Sequence, residues 1–80
     1  MEIRDQIRQF LLTNFYVPDP ATLADDVSLL ETGIIDSTGV LEVIAFLEKT
    51  FHVTVEDVEM VPENLDSVTR LSAYLARKRG

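Results

Sequence analysis

One short stretch of the sequence combines residue types that could do chemistry. It runs Gly33-Ile34-Ile35-Asp36-Ser37. Aspartate is a favoured helix N-cap, so Asp36 is predicted to open a helix, with Ser37 at the first helical position and its hydroxyl in solvent. Gly33 permits a left-handed turn before the helix, and the two isoleucines anchor that turn. The stretch therefore predicts a serine hydroxyl displayed at a rigid helix start.

A displayed serine can act as a nucleophile or accept a modification. The chain has one histidine, His52, and it follows the far end of the predicted helix. A serine hydrolase needs a base within hydrogen-bond distance of its serine. The pattern therefore favours a serine that another protein modifies.

Two other patterns have weaker functional readings. Asp66-Ser67 repeats the dipeptide without a Gly-Ile-Ile turn before it, and we interpret Ser67 as structural. Carboxylates cluster at 25–26 and 56–59, but the Asp, Asn and Gly spacing of an EF-hand is absent. A small metal-binding protein is therefore disfavoured.

Apolar spacing predicts three longer helices and one short helical turn. The first helix runs from residue 2 to about 16 and is stopped by Pro18 and Pro20, and the second runs from 36 to about 51. A short turn within 54–61 is ended by Pro62, and Asp66 caps the last helix. The predicted apolar positions are Ile3, Ile7, Phe10, Leu11 and Phe15 on the first helix, Leu23, Val27, Leu29 and Leu30 in the connection, Val40, Leu41, Val43, Ile44, Leu47 and Phe51 on the second helix, and Val68, Leu71 and Leu75 on the last.

These elements predict an all-α four-helix bundle in which residues 1–80 form one domain. The triplet at 53–55 has strand character, but one triplet cannot build a sheet. The absence of cysteine excludes disulfides and a thiolate metal site. No apolar run is long enough to span a membrane, and the first residues lack the apolar region of a signal peptide. We expect a cytoplasmic protein.

The net charge of −7 is distributed unevenly. Residues 19–66 contain 12 acidic side chains and one basic side chain, Lys49, whereas residues 67–80 contain four basic side chains and no acid. An anionic surface argues against nucleic-acid binding, which needs clustered lysine and arginine. It favours basic protein partners. The cations near the C-terminus are expected to stabilise the end of the last helix.

With these features in place, the sequence resembles the acyl and peptidyl carrier proteins over nearly its whole length. The resemblance rests on the size, the acidity, the long first connection, the Gly-Ile-Ile-Asp-Ser block and the short third helix. It implies that Ser37 carries 4′-phosphopantetheine, attached from coenzyme A by a phosphopantetheinyl transferase, and that Asp36 is the flanking motif residue. Such a carrier is not itself an enzyme and is expected to be a monomer. The chain has no cysteine, so the arm would supply the thiol that thioester formation requires.

The sequence departs from the family pattern directly after the serine. The family usually has leucine there, whereas this chain has Thr38 followed by Gly39. Glycine in a first helical turn costs roughly 0.5–1 kcal/mol relative to alanine. The departure favours a free-standing, specialised bacterial carrier over the housekeeping carrier of fatty-acid synthesis. Such carriers work with an adenylate-forming acyl or aminoacyl ligase and with downstream acyl-transfer enzymes. The acyl group and the pathway (fatty acid, polyketide or nonribosomal peptide) stay open.

A partner-docking surface is predicted around the serine. Glu42 and Glu48 lie off the apolar face of the second helix, and apolar contacts are expected around Ile35, Thr38 and Val40. One alternative function also fits the charge. An acidic helical adaptor could bind a basic partner surface without any prosthetic group, although this reading leaves the Gly-Ile-Ile-Asp-Ser block unexplained.

Overall fold

Four α-helices and two short 3₁₀ turns make up the regular structure of residues 2–17 and 19–79, the part of the chain that the computed structural model describes. The helices are α1 (Ile3–Asn14), α2 (Ser37–Phe51), α3 (Pro62–Leu65) and α4 (Val68–Arg79). The 3₁₀ turns are Pro20–Thr22 and Asp57–Glu59. The predicted all-α fold of three longer helices and one short helix is confirmed. Residues 53–55 belong to no strand.

Helix α1 ends two residues earlier than predicted. Phe15 has an extended backbone (φ −126°, ψ 154°), and its amide donates to the Leu11 carbonyl at 3.0 Å. The side chain of Asn14 also donates to the Phe10 carbonyl, one turn earlier, at 3.0 Å. Pro18 lies outside the described residues, and Pro20 begins a 3₁₀ turn.

The connection between α1 and α2 is held by buried apolar anchors and one arginine. The side chains of Leu23 and Leu29 are buried as predicted, whereas Leu30 is 42% exposed and is not a core anchor. The Arg8 guanidinium donates to the Leu23 carbonyl and lies 3.2 Å from the Asp25 carboxylate. The connection is consequently fixed to α1 by polar as well as apolar contacts.

Helix α2 contributes the centre of the core. Its buried apolar side chains are Val43, Ile44, Leu47 and Phe51. Phe46 stacks on Phe10 of α1, with ring centroids 4.1 Å apart, and Phe15 packs edge-on against Phe10 at 5.8 Å. The helix ends at His52, which has the left-handed conformation (φ 56°, ψ 46°) that commonly terminates helices.

The region after α2 differs from the prediction in the role of its proline. Pro62 begins α3 instead of ending a helical turn, and the preceding turn, Asp57–Glu59, is separate. Proline fits the first position of a helix because the amide there makes no intrahelical hydrogen bond. The sequence alone gives a proline at a boundary without saying on which side the helix lies.

Helix α4 closes the bundle by packing against α1 and α3. Its predicted inner stripe is confirmed, because Val68, Leu71 and Leu75 have no exposed surface, and Tyr74 joins them at 2% exposed. The predicted cap was wrong by one residue. The Ser67 hydroxyl, not the Asp66 carboxylate, accepts from the Arg70 amide at 3.0 Å.

Across residues 2–17 and 19–79, no helix combines the length and the apolar character needed to cross a bilayer.

Candidate functional site

Ser37 is the first residue of α2, and its side chain is exposed. Asp36 precedes it with an extended backbone, and its Oδ1 accepts from the Gly39 amide at 2.7 Å. This is the N-cap predicted from the sequence. Because the cap fixes the register of the helix start, it determines that the serine is the first side chain to emerge.

The turn that leads into α2 has the predicted geometry. Gly33 adopts φ +77°, a left-handed conformation that side chains with a Cβ rarely adopt. Two residues later, the Ile35 side chain is buried at 3% exposed, and the Ile35 amide donates to the Leu29 carbonyl at 3.1 Å. The chain is thus anchored immediately before it reaches Asp36.

An apolar cavity of about 230 Å³ opens beside Ser37. It lies between the end of the first connection, helix α2 and helix α3. Apart from Ser37 and Asp66 its lining is apolar and includes Leu29, Ile35, Val40, Val43, Met60 and Leu65. The serine hydroxyl therefore stands beside both solvent and an apolar chamber.

Asp66 ties together the two segments on one side of this cavity. Its carboxylate accepts from the Ser28 hydroxyl and, at 2.9 Å, from the Leu30 amide. Its carbonyl accepts from the Leu29 amide, also at 2.9 Å. The carboxylate that was expected to cap α4 is instead used to hold the first connection against the junction of α3 and α4.

Side chains of α4 hold the segment that contributes Met60 and α3 to the cavity lining. Glu59 accepts from the Tyr74 hydroxyl at 3.1 Å and pairs with the Lys78 ammonium at 2.9 Å. Arg70 donates to the Pro62 carbonyl at 3.3 Å, and Arg77 donates to the Asn64 side chain at 2.8 Å. The basic C-terminal segment thus has an internal role, because it fixes the segment that carries Met60 and α3.

The contacts of this network shift the pKa values of Glu59 and Tyr74. The hydrogen bond from the Glu56 amide, followed by that from Lys78, lowers the pKa of the Glu59 carboxyl. Burial, followed by the hydrogen bond to Glu59, raises the pKa of the Tyr74 phenol to about 12. The pair is therefore held as a carboxylate and a neutral phenol.

The residues predicted to bind partners fall into two groups. Thr38 and Glu42 are exposed near Ser37. Ile35 is packed in the core, Val40 is half-buried against the cavity, and the Glu48 carboxylate accepts from the Val55 amide at 3.0 Å. The second group is thus at least partly engaged within the fold, and its role in partner binding stays a prediction.

Leu41 belongs to the exposed surface, although the sequence placed it on the buried face of α2. Its side chain is 61% exposed. Residues four apart share a helix face, so Leu41 lies one turn after Ser37 on the same side. The four-residue spacing from Ser37 could have predicted that Leu41 is exposed. The apolar residues of α2 cover so much of its circumference that the sequence pattern did not show which of them face solvent.

The one histidine of the chain lies far from the serine. His52 lies beyond the last residue of α2, about 22 Å from Ser37 along the helix axis at 1.5 Å per residue. Within the described ranges, no group of three or more histidine, aspartate or glutamate side chains is arranged to hold a metal ion. The site offers an accessible hydroxyl at the start of α2.

A comparison with protein families identifies this arrangement. The family model described as a phosphopantetheine attachment site matches residues 5–75, which is most of the chain. The chain belongs to this family of carrier domains. It is therefore a carrier of covalent 4′-phosphopantetheine, and carrier domains of this kind are generally non-catalytic. No curated protein matches the sequence closely enough to serve as a relative.

The network behind the cavity of this carrier can be tested by titration. In a Tyr16→Phe variant, Tyr74 is the only tyrosine, and its phenol is expected to ionise at about pH 12 in the ultraviolet absorbance. Because the pKa is raised on folding, the stability that it contributes is complete below the ordinary value of 10.0 and is lost as the pH rises through 12.

Adding Glu59→Gln removes the negative charge that the phenol faces, so the midpoint of the Tyr74 titration should fall. A midpoint near 10 in the Tyr16→Phe variant, with the helical circular dichroism retained, would contradict the burial of Tyr74, and an unchanged midpoint on adding Glu59→Gln would contradict its hydrogen bond to Glu59.

Proposed function

We propose that this carrier holds an acyl or aminoacyl group as a thioester on 4′-phosphopantetheine attached to Ser37, and presents it to partner enzymes. The observation that carries the proposal is the position of Ser37, exposed at the capped start of α2 and inside the stretch matched by the family. The repeated dipeptide offers no competing site, because Ser67 is 3% exposed and caps α4.

The surroundings of Ser37 suit a phosphodiester linked to its oxygen. The positive end of the α2 dipole lies beside the hydroxyl and favours negative charge there. Ser37 contributes the acceptor oxygen, and the base that removes its proton comes from the transferase, since no histidine is near. When bound, 4′-phosphopantetheine supplies the thiol that this cysteine-free chain lacks.

The carrier has no catalytic role of its own in this proposal. Its partners are a phosphopantetheinyl transferase, an adenylate-forming acyl or aminoacyl ligase and downstream acyl-transfer enzymes. We assign their contact surface to Thr38, Leu41 and Glu42, which are exposed around Ser37. The remaining features, a single domain over residues 1–80, a monomeric state and a cytoplasmic location, stay predictions.

The cavity supports an apolar acyl group over a polar aminoacyl group. Its wall is formed by aliphatic side chains, among them Val43 and Leu65, and Ser37 stands at its edge. Each methylene group that leaves water for such a chamber contributes about 0.8 kcal/mol. A cargo that the arm folds back into this cavity would therefore be stabilised in proportion to its apolar length.

The alternative function, an acidic adaptor without a prosthetic group, is favoured by the net charge of −7. It requires no displayed serine and no cavity beside one. The mass of the protein after exposure to a transferase and coenzyme A distinguishes it from the carrier.

The attachment site is tested by Ser37→Ala. The wild-type protein should gain the mass of one phosphopantetheine arm from a broad-specificity transferase, and Ser37→Ala should gain none while remaining helical. Thr38→Ala, which removes the neighbouring exposed hydroxyl, should be modified normally. Ser67→Ala should lose about 1 kcal/mol of stability with the α4 cap and still be modified. Modification of Ser37→Ala would refute the assignment.

The acidic contact surface is tested by Glu42→Lys. Exposed charge pairs contribute about 0.2–1 kcal/mol each, so reversal should raise the KM for modification by roughly two- to tenfold at low salt. The effect should fade as salt screens the charges. Asp5→Lys is the charge-matched control, because it lies ten residues before Phe15, about 15 Å along α1 from the end that meets α2. Equal effects of the two reversals would show that only net charge matters.

The apolar cargo is tested by acyl chains of increasing length. The free energy of unfolding should rise by up to about 0.8 kcal/mol for each methylene group added, until the cavity is full. Val40→Phe fills the cavity and should abolish this rise, whereas Leu41→Phe, on the exposed face of the same helix, should preserve it. Urea unfolding of the acylated carriers measures the effect. A stability independent of chain length in the wild-type protein would show that the cargo stays outside.

A further inference from the structure

Gly39 lies in the first turn of α2, two residues after Ser37, where two other segments approach its backbone. A Cβ added to Gly39 would lie 2.9 Å from Cε1 of Phe15 and 3.0 Å from Cγ2 of Ile35. Carbon atoms in favourable contact are about 3.5–4.0 Å apart. The position therefore has no room for a side chain, although alanine is the better helix former.

Neither neighbour can withdraw easily. Ile35 is 3% exposed, and its amide is bonded to the Leu29 carbonyl. The Phe15 ring packs edge-on against Phe10, which in turn stacks on Phe46 of α2. The Phe15–Gly39 contact is thus one end of an aromatic bridge between α1 and α2.

The same glycine takes part in the cap beside the serine. Its amide donates to Oδ1 of Asp36 at 2.7 Å, and an added Cβ would lie 3.3 Å from that oxygen. Ser37 lies between the two bonded residues. A side chain at 39 would therefore displace the first turn from Phe15 and Ile35 and would carry the serine with it.

The geometry points to Gly39 as a positioning residue for the attachment of 4′-phosphopantetheine to Ser37, an inference that rests on the proposed function. The bare Cα lets Phe15 and Ile35 hold the first turn of α2 in one place. Ser37 is exposed and belongs to this turn, so its position follows that of the turn. Because the reaction requires its oxygen to be aligned with a phosphorus atom in the transferase, a misplacement of about 1 Å can cost up to 100-fold in rate.

The test is the steady-state kinetics of modification by a broad-specificity transferase with saturating coenzyme A. Gly39→Ala should lower kcat about tenfold and change the KM for the carrier less than about threefold, because alignment is lost and docking is kept. Phe15→Leu, which removes the bracing ring, should lower kcat about threefold with a similar KM. In the Phe15→Leu background, Gly39→Ala should cost less than it does in the wild-type protein, since the closer of the two contacts it disturbs is already gone and only that with Ile35 remains. Thr50→Ala, at an exposed position near the far end of the same helix, is the control and should retain the wild-type kcat.

The outcomes separate the two proposals. A wild-type kcat for Gly39→Ala, with Ser37→Ala unmodified, overturns the positioning role and leaves the attachment site standing. Modification of Ser37→Ala overturns the attachment site itself. Equal losses from Gly39→Ala in both Phe15 backgrounds, or a change confined to KM, also overturn the positioning role. If Gly39→Ala fails to fold, the Phe15→Leu variant decides, because an unchanged kcat there contradicts the bracing.

Discussion

The hydrogen bond from the Gly39 amide to the Asp36 carboxylate fixes where α2 begins, and the presentation of Ser37 depends on that start. A helix leaves its first amides without intrahelical partners, and Asp36 satisfies one of them from just outside the helix. The residue that follows such a cap emerges into solvent while the next turn is already packed. The chain thereby combines two requirements that usually conflict, an exposed reactive group and a fixed backbone beneath it.

The charged residues divide into those used inside the fold and those left outside. Lys78, Arg77 and Arg70 all reach from α4 to the segment 59–64, so much of the positive charge of the C-terminal segment is committed to internal contacts. Many of the acids, Glu42 among them, remain exposed. The surface is thus strongly anionic for a structural reason as well as a compositional one. A field of this sign steers basic partners toward the carrier from a distance.

Local chemistry explains how much of the molecule could be predicted from its sequence. The cap at Asp36 and the turn at Gly33 were predictable because each depends on residues only a few positions apart. Pro62 was placed on the wrong side of a helix boundary because proline occurs on both sides of such boundaries. Asp66 was mistaken for a cap because its true partners, Ser28 and Leu30, lie 38 and 36 residues away.

Burial was harder to predict for the same reason. Leu41 belongs to a broad apolar pattern, and only the positions of the neighbouring helices decide which edge of that pattern is covered. The cavity beside Ser37 is the space left between side chains of three segments that are distant in sequence. Its presence and size could therefore not be predicted from any local sequence pattern.

The first connection also completes a helix that lies far away in the chain. The Thr69 amide, in the first turn of α4, donates to the Asp25 carbonyl at 2.8 Å, across 44 residues of sequence. Helix α4 therefore lacks one of its terminal hydrogen bonds until the connection has docked. The formation of α4 is consequently coupled to the closure of the chain loop between Asp25 and Thr69. The entropy of closing the loop is lost in the same step that satisfies the helix end, which favours cooperative, all-or-none folding over the accumulation of a partly assembled bundle.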